Sequence, residues 1–219
     1  RKLTRFLLEY HFNEQDIHWL RTKGMSEEFC EYLRTYKWKG DMYALPEGTV
    51  CYPHVQMVRI ECDLVGAILI ETYLLQTMNF HSLIATKANR IVRAAQGRTV
   101  LEFGSRRAQG TDGAISGARA AYIGGCAGTA CTISDQLYGV PAGGTMAHSW
   151  VQMFDSQYEA FKTYCQLYPH SATLLVDTYN VLKSGVPNAI RAFQEVLLPQ
   201  GIHDFAIRLD SGDLTYLSK

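Results

Sequence analysis

The stretch Val100-Leu101-Glu102-Phe103-Gly104-Ser105-Arg106-Arg107 decides the fold class, because a strand-like run passes directly into a basic loop that contains glycine. Four similar runs follow, at residues 121–124, 143–147, 174–177 and 205–209, with helical stretches between the later ones. Alternation of strand and helix predicts a parallel sheet in an α/β fold, and the spacing is typical of βα-barrel units. Five units are too few to close an eight-stranded barrel, so either the sheet is open or the remaining strands lie outside this chain.

The residues before this region have a different pattern. Ser26 is the expected N-cap of a short helix, residues 58–62 alternate as a half-buried strand does, and residues 63–96 have a helical composition. The last stretch is too long for one typical helix, so we expect a break at residues 79–81. The change of pattern predicts two domains, residues 1–97 and 98–219.

The overall composition excludes several classes of protein. The 219 residues include 21 basic and 21 acidic side chains, and 47% are hydrophobic, so the chain can bury a core and has no net charge for binding nucleic acid. The longest apolar run, residues 64–70, is too short for a membrane span, which needs about 20 residues. No signal peptide is visible, and six cysteines without metal-site spacing predict unpaired thiols in a reducing compartment, the cytoplasm.

Polar or glycine-rich residues follow each predicted strand, in the loops at residues 102–107, 124–129, 144–150, 177–180 and 208–213. Ligands of α/β folds bind at the carboxyl ends of the strands, so these loops are the candidate site. Arginines, a histidine, carboxylates and glycines in such loops suit an anionic, phosphorylated ligand, because guanidinium groups and backbone N–H groups bind phosphate. Asp177 and Asp210 are also candidates to hold Mg²⁺ through a phosphorylated substrate.

Each of these residues also has a purely structural interpretation. Arg106 and its neighbour Arg107 fit surface charges as well as they fit ligand contacts. Asp177 could instead cap the following turn. Residues 210–213 fit an ordinary turn with a helix N-cap, and the glycines at 124, 125 and 128 fit close packing. His148 is one of seven histidines, but its position at a predicted strand end, beside Thr145, favours a functional role.

Six motifs, four of which include predicted strand-end loops, together resemble those of a known family. They comprise Ala44-Leu45-Pro46-Glu47-Gly48-Thr49, Ile84-Ala85-Thr86-Lys87-Ala88-Asn89-Arg90, Glu102-Phe103-Gly104-Ser105-Arg106-Arg107-Ala108-Gln109-Gly110, Gly144-Thr145-Met146-Ala147-His148-Ser149-Trp150, Val176-Asp177-Thr178-Tyr179-Asn180 and Arg208-Leu209-Asp210-Ser211-Gly212-Asp213-Leu214. In this order, across most of the chain, they resemble the nicotinate phosphoribosyltransferase family.

The resemblance implies a fold and a reaction. The family has the type II phosphoribosyltransferase fold, an α/β sandwich N-terminal domain followed by an irregular TIM-like α/β barrel. Its enzymes are of the ligase class and make nicotinate mononucleotide and pyrophosphate from nicotinate and 5-phosphoribosyl 1-pyrophosphate, in NAD biosynthesis by salvage. ATP is a co-substrate whose hydrolysis is coupled through a phosphorylated histidine, and Mg²⁺ is the expected metal.

The resemblance also implies roles for individual residues. His148 would be the phosphorylated catalytic histidine, Asp177 would orient it, and Thr145 would contact nicotinate. Phe103 would stack on the pyridine ring, and Arg106 would face the nicotinate carboxylate or a neighbouring phosphate.

Four further residues complete the implied site. Arg208 would bind the phosphoribosyl substrate, and Asp210, a third catalytic residue, would hold ribose hydroxyls or Mg²⁺. Lys87 and Arg90 are candidates for pyrophosphate contact.

The departures from the family keep alternatives open. Family members are about twice this length, so we expect a fragment that lacks both ends, and a homodimer is implied by the resemblance alone. The sister family that acts on nicotinamide carries an aspartate where Ala130 follows Gly128 and Thr129, which favours nicotinate here. The alternatives are a nicotinamide phosphoribosyltransferase and a truncated, non-catalytic homologue that binds phosphoribosyl ligands.

Overall fold

The computed structural model describes residues 2–219, and the chain divides into two compact units, Arg1–Gly143 and Gly144–Lys219. The helices of the first unit are α1 (Lys2–Glu9), α2 (Glu14–Thr22), α3 (Glu27–Arg34), α4 (Leu64–Ala94), α5 (Gly110–Ile123) and α6 (Thr132–Tyr138). Its strands are β1 (Gly40–Ala44), β2 (Val58–Cys62), β3 (Leu101–Glu102) and β4 (Gly128–Thr129).

Local capping starts the helices where the sequence predicts them. The Ser26 hydroxyl accepts a hydrogen bond from the backbone N–H of Phe29 at 3.2 Å, which confirms the predicted N-cap of α3. Asp63 caps α4 in the same way through the N–H of Gly66, at 2.7 Å. The strand predicted at residues 58–62 is β2, which pairs antiparallel with β1.

Helix α4 has 31 residues and no break, so the interruption predicted at residues 79–81 is wrong. No proline or glycine stands there to break it. The helix packs along α5, and the two elements approach closely at Gly124, where a Cβ atom would lie 2.5 Å from the carbonyl oxygen of Ala85.

Two predicted strands of this region are also wrong. Residues 121–123 end α5, and the strand lies later, at β4, because a short apolar run is compatible with either a strand or a buried helix. Residues 143–147 form no strand, although Thr129 makes an isolated parallel bridge with Ala142. The pairing of β3 with β4 is parallel, as the alternation of strand and helix predicts.

The second unit has two parallel strands, β5 (Thr173–Leu175) and β6 (Ala206–Arg208), which confirm the runs predicted at residues 174–177 and 205–209. Its helices are α7 (His148–Gln152), α8 (Gln157–Leu167), α9 (Val186–Ala192) and α10 (Leu214–Leu217). Stretches of π-helix, Val181–Gly185 and Phe193–Leu197, flank α9. Phe161, Leu174 and Leu197 are fully buried in the core of this unit.

The structure therefore shows a mixed α/β fold with short parallel strand pairs. The domain division between residues 97 and 98 stays a prediction. None of the six cysteines, all in the described part of the chain, forms a disulfide, as predicted.

No helix within residues 2–219 combines the length and the apolar composition that crossing a membrane requires.

Candidate functional site

The predicted site residues of the second unit form one cluster at the ends of β5 and β6. His148 begins α7, and its Nδ1 atom lies 3.1 Å from the hydroxyl oxygen of Thr178 and 3.9 Å from Oδ1 of Asp177. Its other nitrogen, Nε2, lies 3.7 Å from Oδ2 of Asp210. The His148 side chain is 41% exposed, so a solute can reach the ring.

Asp177 is the buried member of the cluster, with a side chain only 2% exposed. Its Oδ2 atom accepts hydrogen bonds from the backbone N–H of Asp210 at 3.0 Å and from the Ser211 hydroxyl at 2.6 Å. Its Oδ1 atom, the one nearer His148, accepts no hydrogen bond from the described residues. Burying a carboxylate oxygen without a hydrogen-bond donor costs free energy. A proton or a ligand is therefore expected beside this atom.

Arg208, at the end of β6, joins the cluster through two charged or polar partners. Its Nη1 atom donates to the Thr145 hydroxyl at 2.8 Å, and its Nη2 atom donates to Oδ1 of Asp210 at 2.7 Å. The structure thus brings together all five predicted site residues of this unit, Thr145, His148, Asp177, Arg208 and Asp210. The alternative interpretation of Asp177 as a cap does not hold, while Asp213 caps α10 as expected.

The remaining predicted residues lie in the first unit. Phe103 follows β3 directly, and Arg106 lies in the 3-10 turn Ser105–Arg107 with an exposed side chain. The carboxylate of Glu102, at the end of β3, accepts from the backbone N–H of Gly104 and from the Thr129 hydroxyl. The loop that carries Phe103 and Arg106 is therefore held at its base by Glu102.

Lys87 and Arg90 lie almost one turn apart on α4, with both side chains exposed. Neither side chain makes a hydrogen bond or an ion pair with another residue in the described part of the chain. Their placement leaves both cations available to an anion, but no neighbour fixes them.

The motif at residues 44–49 has a structural role in the first unit. Glu47 and Arg119, on α5, form an ion pair at 2.6 Å. The pair lies at the wall of a cavity of about 520 Å³ between this loop and α4. Among the described residues that line this cavity, none is a predicted site residue.

Sequence reasoning missed four polar groups that support the cluster of the second unit and the loop after β3. These are Glu102, Thr129, Thr178 and Ser211, and each lies within a quoted motif or directly beside a strand end. The signal that could have found Thr178 and Ser211 is adjacency, because each directly follows a candidate carboxylate.

The carboxylates of the second unit fit a weakly held Mg²⁺. No three His, Cys, Asp or Glu side chains converge as a metal cage within residues 2–219. Mg²⁺ is usually bound by one or two carboxylates together with substrate phosphates, and the partly exposed Asp210 side chain is a carboxylate of this kind.

The structure is that of an α/β protein whose second unit brings histidine, carboxylate and arginine side chains together near the ends of β5 and β6. A model described as the nicotinate phosphoribosyltransferase N-terminal domain matches residues 1–79. Nicotinate phosphoribosyltransferase pncB2 of Mycobacterium tuberculosis is 44% identical over 218 residues, which cover 99% of this chain and 46% of that protein. The Bacillus subtilis nicotinate phosphoribosyltransferase is 42% identical over 219 residues, covering 100% of this chain and 44% of its own length.

A solved structure agrees with these sequence comparisons. The crystal structure of human nicotinic acid phosphoribosyltransferase superposes with a TM-score of 0.84 and 29% identity, over 96% of this chain and 52% of that chain. The chain spans about half the length of the curated relatives that it matches. Over nearly its whole length the chain is similar to nicotinate phosphoribosyltransferases, which confirms the resemblance inferred from the motifs.

Proposed function

We propose that this chain is part of an ATP-coupled nicotinate phosphoribosyltransferase of NAD salvage. The reaction converts nicotinate, 5-phosphoribosyl 1-pyrophosphate, ATP and water to nicotinate mononucleotide, pyrophosphate, ADP and phosphate. The observation that carries the proposal is the His148 ring between two carboxylates, with Arg208 bonded to one of them. Two relatives that match nearly the whole chain are nicotinate phosphoribosyltransferases, which supports the same reaction.

His148 is the proposed nucleophile toward ATP. A neutral ring nitrogen attacks the terminal phosphorus, so that an N–P bond forms and the bond to ADP breaks, and water later cleaves the N–P bond to release phosphate. Thr178 and Asp177, both near Nδ1, fix the ring orientation and its tautomer. The solvent access of the ring suits a step that takes in ATP and releases ADP.

The phosphoribosyl transfer requires charge on both sides of the breaking bond. Cleavage of the bond to pyrophosphate builds positive charge on ribose C1 and negative charge on the leaving group. We assign the phosphoribosyl substrate to Arg208 and its ribose hydroxyls to Asp210, because the two side chains are already paired at 2.7 Å. Lys87 and Arg90 are proposed contacts of the pyrophosphate, because their side chains are exposed cations.

Nicotinate recognition is assigned to strand-end loops. Phe103 would stack on the pyridine ring and Arg106 would pair with the carboxylate of nicotinate or a nearby phosphate. Thr145, whose hydroxyl accepts from Arg208, is also proposed to contact nicotinate. Ala130 has an exposed side chain and cannot accept a hydrogen bond from an amide NH₂, which favours nicotinate over nicotinamide.

Asp210 is the residue proposed to hold Mg²⁺. When bound, the metal supplies positive charge against the phosphates of the substrate. The protein's own contribution is to fix Asp210, whose backbone N–H donates to Asp177 and whose carboxylate accepts from Arg208.

The proposal also covers the two domains, the oligomeric state and the cellular compartment. We assign residues 1–97 to an α/β sandwich domain and residues 98–219 to the first part of an irregular TIM-like barrel. The full enzyme would act as a homodimer in the cytoplasm. The parallel pairs β3–β4 and β5–β6 support the barrel, because parallel strands joined by helices are its repeating unit.

The experiment that tests the function uses the complete gene product. It is given labelled nicotinate, 5-phosphoribosyl 1-pyrophosphate and Mg²⁺, with and without ATP, and nicotinamide in a parallel assay. The expected result is nicotinate mononucleotide whose yield rises with ATP. Product from nicotinamide but not from nicotinate would overturn the assignment of nicotinate as the substrate. Binding of the phosphoribosyl ligand without product from either pyridine would favour the non-catalytic homologue.

A further inference from the structure

The ends of β3 and β4 in the first unit are joined by a small network of polar groups. Glu102 and Thr129 are register partners of the parallel pair, and the Thr129 hydroxyl donates to Oε2 of Glu102 at 2.7 Å. The backbone N–H of Ala130 donates to the carbonyl oxygen of Glu102 at 2.9 Å. Side chains and backbone thus connect the same two strand ends.

Thr129 is the buried centre of this network. It has no exposed surface, and its hydroxyl oxygen also accepts from the backbone N–H of Cys131 at 3.0 Å. Its own N–H donates to the carbonyl of Pro141 at 2.9 Å. One hydroxyl therefore fixes the loop after β4 and at the same time orients the Glu102 carboxylate.

The other carboxylate oxygen of Glu102 fixes the loop after β3. Oε1 accepts from the backbone N–H of Gly104, so the residue between them, Phe103, is bridged on both sides. The carbonyl of Gly104 in turn accepts from the N–H of Arg107 at 2.8 Å, which closes the turn that contains Arg106. The position of both proposed nicotinate contacts thus depends on the Glu102 carboxylate.

We propose that Glu102 and Thr129 are positioning residues that set the shape of the nicotinate subsite. This inference rests on the proposed function, because it takes Phe103 and Arg106 as the pyridine and carboxylate contacts. Neither positioning residue need touch the substrate. They act on nicotinate binding through the loop after β3. If the Glu102 side chain lost its hydrogen bond to Thr129, that loop would lose its support.

The test compares Thr129→Val with Thr129→Ser in the complete gene product. Valine keeps the buried shape but removes the hydroxyl, whereas serine keeps the hydroxyl and loses one methyl group. We expect Thr129→Val to raise the KM for nicotinate at least about tenfold while kcat and the KM for 5-phosphoribosyl 1-pyrophosphate change less than about threefold. Thr129→Ser is expected to restore the KM for nicotinate to within about threefold of wild type.

A purely structural role predicts a different pattern. It would lower the melting temperature of both variants without moving the KM for nicotinate below that temperature, and this result would overturn the inference. An equal rise in the KM values for nicotinate and for 5-phosphoribosyl 1-pyrophosphate would overturn the inference as well. If Thr129→Val does not fold, Glu102→Gln is the second variant, since its amide cannot accept from both Gly104 and Thr129, and the same selective rise in KM is expected.

The two proposals fail in distinguishable ways. Absence of turnover by the wild-type protein with nicotinate would refute the proposed function itself. Normal wild-type turnover, together with an unchanged nicotinate KM in Thr129→Val and Glu102→Gln, would refute only the positioning role. Calorimetric titration of nicotinate into each variant, without 5-phosphoribosyl 1-pyrophosphate, gives a second readout that does not depend on catalysis.

Discussion

His148 combines two properties that a phosphate-accepting histidine needs. One ring nitrogen is close to a buried carboxylate and a hydroxyl, and the other is close to the partly exposed Asp210. The ring is therefore oriented and still open to solvent. In the proposed function His148 takes part in the ATP step alone, so a variant of His148 should lose the coupling to ATP and keep part of the phosphoribosyl transfer.

The variant His148→Ala is expected to abolish ATP hydrolysis coupled to synthesis and to leave a slower synthesis that ATP does not stimulate. The reason is that the N–P bond cannot form without the imidazole. The measurement is phosphate release and nicotinate mononucleotide yield, each with and without ATP. His170→Ala, an exposed histidine of the same unit, is the matched control and should behave as wild type. Undiminished ATP hydrolysis in His148→Ala would contradict the assignment.

We predict that the choice between nicotinate and nicotinamide depends on Ala130. The variant Ala130→Asp is expected to shift preference toward nicotinamide by about tenfold or more, because the carboxylate accepts from the amide NH₂ and repels the nicotinate carboxylate. The ratio of kcat/KM for the two pyridines measures the shift.

Ala127→Asp is the matched control for that experiment. Ala127 is also exposed, and its N–H donates to Val100 at the start of the neighbouring strand, so the same added charge lies at the other end of the β3–β4 pair. An equal shift in both variants would indicate a general effect of charge and would contradict a specific role for Ala130.

At the scale of helices and strands, the sequence predicted well where a local signal was complete. Ser156 caps α8 as expected, and Gly201 follows the helical stretch in a left-handed conformation. Residues 121–124 were misassigned because their role depends on packing against α4, which no local pattern records. The same limit explains the missed network of Glu102 and Thr129, since these two residues are 27 positions apart in the sequence.

Three site residues of the second unit, Asp177, Arg208 and Asp210, were predicted better, because each lies at or just after a strand end. Asp177 and Asp210 follow parallel strands, so adjacency in the sheet brings them together. What the sequence could not predict is which atoms meet: Thr178 is the hydrogen-bond partner of His148, whereas Asp177 lies 3.9 Å away.

The π-helical stretch before α9 tolerates no side chain at its last residue, Gly185. A Cβ atom there would lie 1.9 Å from the carbonyl oxygen of Val176, so Gly185→Ala must displace the strand end that leads to Asp177. We expect a loss of at least about 2 kcal/mol in the free energy of unfolding. Gly143→Ala is the control, because its Cβ would meet no atom within 4 Å. Urea unfolding of both variants measures the difference, and similar midpoints would contradict this explanation.

For the whole molecule, zero formal charge combines with local clusters of charge at strand ends. Function therefore depends on where the charged side chains lie and not on the net charge of the chain. Stability depends in part on groups that are buried in their neutral form. Burial raises the pKa of several of these, including the thiols of Cys126 and Cys165 and the hydroxyl of Tyr36. All of these groups are neutral when protonated, so their raised pKa values make the folded protein sensitive to alkaline pH.

Cys165 gives the clearest case, because it lies fully buried in the core of the second unit and burial raises its pKa to about 11. In the unfolded chain the thiol ionises near its ordinary pKa of 9.0. Its contribution to stability is therefore complete below pH 9 and is lost as the pH rises toward 11, since only the unfolded chain releases the proton.

Wild type is expected to lose about 1 kcal/mol more unfolding free energy between pH 8 and pH 10 than either Cys165→Ala or Cys165→Val. The two substitutions change the core volume in opposite directions, yet both remove the titrating group. Urea unfolding at the two pH values measures the loss. If only one variant shows the smaller loss, packing is the cause; if neither does, ionisation of Cys165 does not limit alkaline stability.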